Sequence, residues 1–193
     1  HPRVRRQRQM CIRDSVKKAF AEYTAAYNAD DPKIKLKIDH TYRVAALCER
    51  IAKAAGMCAY DVELAWLSGM LHDVGRFEQI KRYNTFSDAD SVDHAKFGAD
   101  LLFKDGLIST FLKGMVKCTG YKPGALEDRY DSDGVFLYDR LNKSDMEMLE
   151  LAIRCHNMYR IPQGLNCREQ AFCNVLRDAD KVDILSLIHI SEP

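Results

Sequence analysis

The fold class this sequence predicts is all-α, a helical bundle, and three observations predict it. Apolar residues recur at helical spacing in one segment after another. No stretch of useful length alternates with the two-residue period of a strand. The segments are separated by turns marked with Gly, Pro, Asn or Asp, the usual punctuation between packed helices. At 193 residues, with 47% apolar and 30% charged side chains, the chain is long enough for one domain around one core. No apolar run approaches the roughly 18–20 residues a membrane span requires.

In order, Val16 to Tyr27 reads as a short amphipathic helix, with Val16, Phe20, Tyr23 and Tyr27 on one face. After a turn at Asn28 to Pro32, Ile34 to Ala55 is a long helix lined by Val44, Leu47 and Ile51 and ended by Gly56. Asp61 is the expected cap of a buried helix carrying Leu64, Leu67 and Leu71, with Gly75 as its stop. Phe77 to Asp90 reads as a polar loop or broken helix, and Ser91 as the cap of a helix running to Lys104. Leu107 to Cys118 is helical but interrupted at Gly114, and Gly120 to Asn142 is a long Gly-, Pro- and Asp-rich excursion. Ser144 with Glu147 forms a capping-box pattern for the helix that reaches His156. The last helix spans Arg168 to Leu185, with Phe172, Leu176 and Val182 inward.

The two ends stand apart from this pattern. Gln9-Met10-Cys11-Ile12-Arg13-Asp14-Ser15 and Leu185 through Pro193 resemble translated sequencing-adapter sequence, so residues 1–15 and 186–193 are set aside as non-native and 16–185 is taken as the domain. The ends carry five arginines, one aspartate and one glutamate, and without them the net charge moves from +1 to −2. The basic arm Arg3, Arg5, Arg6, Arg8 is therefore no nucleic-acid signal, and no nucleic-acid or membrane partner is expected. There is no apolar run behind the basic N-terminus, so the expected location is cytoplasmic. The remaining cysteines show no CxxC pairing and read as reduced thiols.

Four histidines remain: His40, His72, His94 and His156. Each lies on the apolar stripe of a different segment, and Asp180 lies four residues after Leu176. His72 is followed directly by Asp73 at the inner end of an apolar helix, where two polar side chains are costly unless something binds them. Imidazole nitrogen and carboxylate oxygen are both ligands for divalent transition metals, and a bundle can project such ligands from several helices onto one site.

His40, the His72-Asp73 doublet and Asp180, in that order, resemble the H…HD…D signature of the HD-domain superfamily of metal-dependent phosphohydrolases. The surrounding segments His40 to Ala45, Leu71 to Arg76, Asp93 to Gly98 and Asp178 to Asp183 are similar to that family's motifs, over about residues 32–184. The resemblance implies a helical bundle with a central metal site. One ion would be held by His40, His72, Asp73 and Asp180, and a second by Asp73 with His94 and His156. It also implies hydrolysis of a phosphate mono- or diester of a nucleotide or related small molecule by metal-activated hydroxide. The chemistry is expected to centre on Asp73 and Arg76, with Arg43, Arg76 and Lys181 as phosphate contacts.

Mixed nitrogen and oxygen ligation suits Mn, Fe, Co, Ni or Zn better than Mg, and two ions are expected. Departures from known branches narrow the substrate: Asn157 stands where the cyclic-dinucleotide branch has a second histidine, and Arg76 where deoxynucleotide 5′-phosphatases have an acid. The same ligand inventory resembles that of HD-fold mixed-valent di-iron oxygenases, and a non-catalytic nucleotide sensor would also keep the fold.

Overall fold

A computed structural model describes residues 2–28, 30–112 and 141–190, with side chains described from Arg13 to Ser186 within those ranges. Among the described residues every regular element is helical. The chain folds as an all-α bundle around one buried helix.

Helix α1 (Pro2–Thr24) starts before the expected Val16 and lays Val16 and Phe20 into the core. Phe20 meets Tyr42 and Phe77 edge-on at 5.6 and 5.8 Å, an arrangement favoured by the ring quadrupoles. Within the stretch set aside as non-native, Arg13 donates to both carboxylate oxygens of Glu63 and to Glu49, with its guanidinium over Trp66.

Helix α2 (Pro32–Ala54) begins where Asp31 accepts from the Lys33 N–H and Pro32 needs no partner. It ends at Gly56, whose φ of +71° is the left-handed conformation glycine adopts without a Cβ penalty. Helix α3 (Ala59–Leu71) is buried at every position from Val62 to Leu71 and packs against α2 and both C-terminal helices. It starts earlier than expected: Cys58 is the N-cap, and Asp61 sits in the first turn paired with Arg168 at 2.7 Å. Gly69 lets α2 approach closely, since a Cβ there would stand 2.6 Å from the Ala45 Cα.

Gly75 is not the stop of α3. The chain breaks at Asp73, whose ψ of 14° leaves the helical range, and Gly75 lies in the first turn of α4 (Val74–Tyr83). The segment from Phe77 is accordingly helical up to Asn84, a left-handed C-terminal residue with φ 55°. Helix α5 (His94–Ala99) is capped by Asp93, which accepts from the Ala95 and Lys96 N–H groups. Ser91 does not cap it and bonds to Ser87 and Gln79 instead. The expected single helix to Lys104 changes at Asp100 into a π-helical turn, Asp100–Lys104.

A further helical turn covers 108–112; the rest of the expected Leu107 to Cys118 helix, and residues 120–140 of the long excursion, lie outside the described residues. Helix α6 (Lys143–Cys155) has a capping box built from Asn142 and Asp145, one pair upstream in register of the expected Ser144 and Glu147. Helix α7 (Cys167–Ile190) buries Phe172 and Leu176 as expected. Val182 is 47% exposed, because the inward position one residue on is taken by Asp183.

Asp145 is fully buried, and its charge is met by Arg168 at 2.8 Å and by the Tyr60 hydroxyl, tying α3, α6 and α7 together. No helix among the described residues is long and apolar enough to cross a membrane.

Candidate metal centre

Five helices and one break between helices deliver six side chains to the middle of the bundle. His40 comes from the third turn of α2, and His72 stands at the C-terminal end of α3. Asp73 occupies the break before α4, His94 opens α5, His156 closes α6 and Asp180 lies on α7. His40, His72, Asp73, His94 and His156 are all buried, and the Asp180 side chain is the most open of the six at 14%.

The donor atoms form two groups that share Asp73. In the first, His40 Nε2 lies 3.0 Å from Asp180 Oδ1, 3.3 Å from His72 Nε2 and 3.6 Å from Asp73 Oδ2. His72 Nε2 is 3.6 Å from the same Asp73 oxygen and 3.7 Å from Asp180 Oδ1. In the second, His94 Nε2 and His156 Nε2 are 3.1 Å apart, and 3.6 and 3.7 Å from Asp73 Oδ1. One carboxylate oxygen thus faces each group. Ligands about 2.0–2.2 Å from a common ion stand roughly 3.0–3.6 Å from each other. Both groups fit that requirement.

The outward nitrogens explain why the inward ones converge. His72 Nδ1 donates to the Gly69 carbonyl at 2.8 Å, and His156 Nδ1 to the Ile153 carbonyl at 2.7 Å. His40 Nδ1 donates to Asp183 at 2.7 Å, and His94 Nδ1 to Asp88 at 2.6 Å. A carbonyl or carboxylate oxygen can only accept, so each Nδ1 carries the proton and each Nε2 of the neutral ring presents a lone pair. Four lone pairs and two carboxylates pointed at one another are unfavourable without cations.

The electrostatics agree. Burial would raise the Asp73 carboxyl, but Lys37, His72, His156 and His94 outweigh it and hold the group well below the usual carboxylate range. Burial would likewise raise Asp180, but His40 and His72 beside it outweigh burial and hold the carboxyl below the usual carboxylate range. Burial pushes His94 down to about 4, so the ring is neutral and able to ligate at physiological pH.

Three residues here escaped the reading of the sequence. Asp183 and Asp88 orient His40 and His94, and Lys37 places its ammonium 2.8 Å from Asp73 Oδ2. Lys37 lies three residues before His40, one turn away on the same face, so helical spacing was the available signal. Nothing local marks Asp88 or Asp183 among neighbouring acids.

Arg43 and Arg76, expected at the phosphate, each pair with an acid behind an imidazole. Arg43 donates twice to Asp183, at 2.6 and 3.0 Å. Arg76 donates to Asp88, Gln79 and the Phe86 carbonyl, with its Nε 3.8 Å from Asp73 Oδ1. The two arginines therefore repeat one arrangement, arginine to aspartate to imidazole, on opposite sides of Asp73. Lys181 lies on the surface, beside Asp180 in sequence and outside the ligand cluster.

Fold and site define a helical protein with a central histidine–aspartate cluster of the kind that could hold a metal ion. The HD domain family model matches residues 38–187, and the chain belongs to that family. No curated protein and no solved structure matches it.

Proposed function

We propose that the protein is a phosphohydrolase that uses two divalent transition-metal ions to cleave a phosphate mono- or diester of a nucleotide or related small molecule. The observation that carries this reading is the locked set of four imidazoles around a carboxylate whose two oxygens face different groups. Divalent ions held there would polarise a phosphoryl group and lower the pKa of water toward neutrality.

The residues of the chain have separable roles in this reading. Asp73 is shared between the ions, and its ionisation is favoured by Lys37, which also brings a cation to the edge of the site. Asp183 and Asp88 hold the rings of His40 and His94, and Arg43 and Arg76 hold those acids in turn. Asp180 is the ligand nearest solvent, so substrate approaches along its side of the cluster.

The test is metal analysis of protein purified without chelator, followed by phosphatase and phosphodiesterase substrates with and without Mn²⁺. Phosphate release that depends on metal and disappears in His72→Ala and Asp73→Ala is the expected result. Full activity in either variant overturns the assignment. The four-histidine, two-aspartate inventory also suits a di-iron oxygenase. Bound iron with oxygen-dependent turnover, and no phosphate release, would select that chemistry instead.

A further inference from the structure

A groove of about 490 Å³ lies between α7 and the segment that follows His156, lined by Tyr159, Arg160, Gln170, Asn174, Arg177 and Lys181. Three cations face it, and none of the described residues lining it is acidic. Several other arginines of the bundle are paired with acids. Arg13, Arg43, Arg76, Arg154 and Arg168 each have a carboxylate oxygen within 2.6–2.8 Å. Arg177 has only Asp178 at 4.0 Å, and no ion pair to Arg160 or Lys181 is present among the described residues. The Arg177 Nε, like the Arg76 Nε beside Asp73, is a buried donor without a hydrogen-bond partner among the described residues.

The groove is attached to the metal centre by the helix itself. Gln170, Asn174, Arg177 and Lys181 form one stripe on α7, about a quarter turn around from Asp180. Lys181 follows Asp180 directly, and Arg177 lies one turn before it. Asp180 is also the open edge of the ligand cluster. At the other wall, Tyr159 and Arg160 come three and four residues after His156. Tyr159 is 87% exposed and contacts only the Arg160 guanidinium, with 5.8 Å to the ring centroid, among the aromatic and cation contacts described.

We infer that this groove seats a second phosphoryl group of the substrate, so that the preferred substrate is a nucleotide bearing two separated phosphates. The inference rests on the hydrolase reading for the first phosphate, at the metal centre. Three cations match a doubly charged phosphate better than a single carboxylate, and two arginines supply forked donors. The exposed Tyr159 ring offers a face for a nucleobase, with the Gln170 and Asn174 amides as neutral hydrogen-bonding groups.

The experiment compares Mn²⁺-loaded wild type with the Arg160→Gln/Arg177→Gln double variant. Both are given a nucleoside 5′-monophosphate and the matching 3′,5′-bisphosphate, in turnover and in calorimetric binding. Wild type is expected to favour the bisphosphate in kcat/KM by about tenfold or more, and the double variant to lose that ratio. Turnover with an unchanged ratio overturns the groove assignment and leaves the hydrolase reading standing. Absence of turnover, with bisphosphate binding that weakens about tenfold in the variant, supports the groove and removes the hydrolase. Equal bisphosphate binding by the two proteins overturns the inference.

Discussion

Asp183 accepts a hydrogen bond from His40 Nδ1 at 2.7 Å across 143 residues of chain. That contact joins α2 to α7 and decides which nitrogen of His40 faces the metal centre. Asp88 does the same for His94 over six residues, through the loop between α4 and α5. The centre thus has two supports of similar chemistry, one long-range and one local.

Each support should govern one ion. Asp183→Asn is expected to weaken binding at the His40 group, and Asp88→Asn at the His94 group, each by about 10–100-fold. Titration of metal-free protein with Mn²⁺ or Co²⁺ checks this by resolving two affinities. Equal loss at both groups in either variant would contradict the division of labour.

Asp73 should behave differently, because both groups share it. Asp73→Ala is expected to remove both ions, whereas His156→Ala should leave about one ion per chain. Metal content after gel filtration distinguishes the two cases, and two ions retained in Asp73→Ala would exclude the bridging role.

Gly75→Ala tests the packing that brings His94 to the doublet. A Cβ on Gly75 would stand 2.5 Å from the His94 carbonyl oxygen and 2.7 Å from the Gly98 backbone nitrogen. Neither backbone atom can move as a side-chain tip would, so α5 must shift. A loss of about 3 kcal/mol in urea denaturation is expected, with affinity at the His94 group falling before affinity at the His40 group. A variant with wild-type stability would show that α5 adapts.

Acid should destabilise the metal-free protein through His94. Its folded pKa is held down at about 4 by burial, against 6.5 for the ordinary side chain. The unfolded chain therefore binds the proton first as pH falls, and stability drops between about 6.5 and 4. The full effect is on the order of 3 kcal/mol. Denaturation midpoints from pH 7.5 to 4.5 measure it, and His94→Asn should flatten the curve in that window. An unchanged slope in the variant assigns the loss to other groups.

Arg168 is expected to matter for stability rather than chemistry. It is the cation beside the fully buried Asp145 and also binds Asp61. Arg168→Met leaves Asp145 without that charge and should cost about 3 kcal/mol, read as a lower Tm with metal stoichiometry unchanged. Loss of metal in this variant would tie the outer network to the centre.

How much was legible in the sequence depended on how local each cause is. Helical periodicity, the Asp31-Pro32 start and the Gly56 end are set within a few residues, and the all-α class, α2 and the inward faces of His40, His72, His94, His156 and Asp180 followed from them. Caps were misplaced by two residues at Ser91 and Ser144, where Ser, Asp and Asn neighbours compete, and by three at Asp61, where the helix starts from Cys58 without a side-chain cap. Gly75 was misread for a related reason: its lack of a side chain serves contact with Gly98, which lies 23 residues away, and not the end of its own helix.

What the sequence determined alone was the periodic pattern that makes this chain a bundle of helices with polar ligands on their apolar faces. Tertiary structure alone decided which acids turn the imidazoles, why Arg43 and Arg76 are held by carboxylates, and where Lys37 and the basic groove lie. Those assignments rest on distances between side chains far apart along the chain, and such distances are created only when the helices pack.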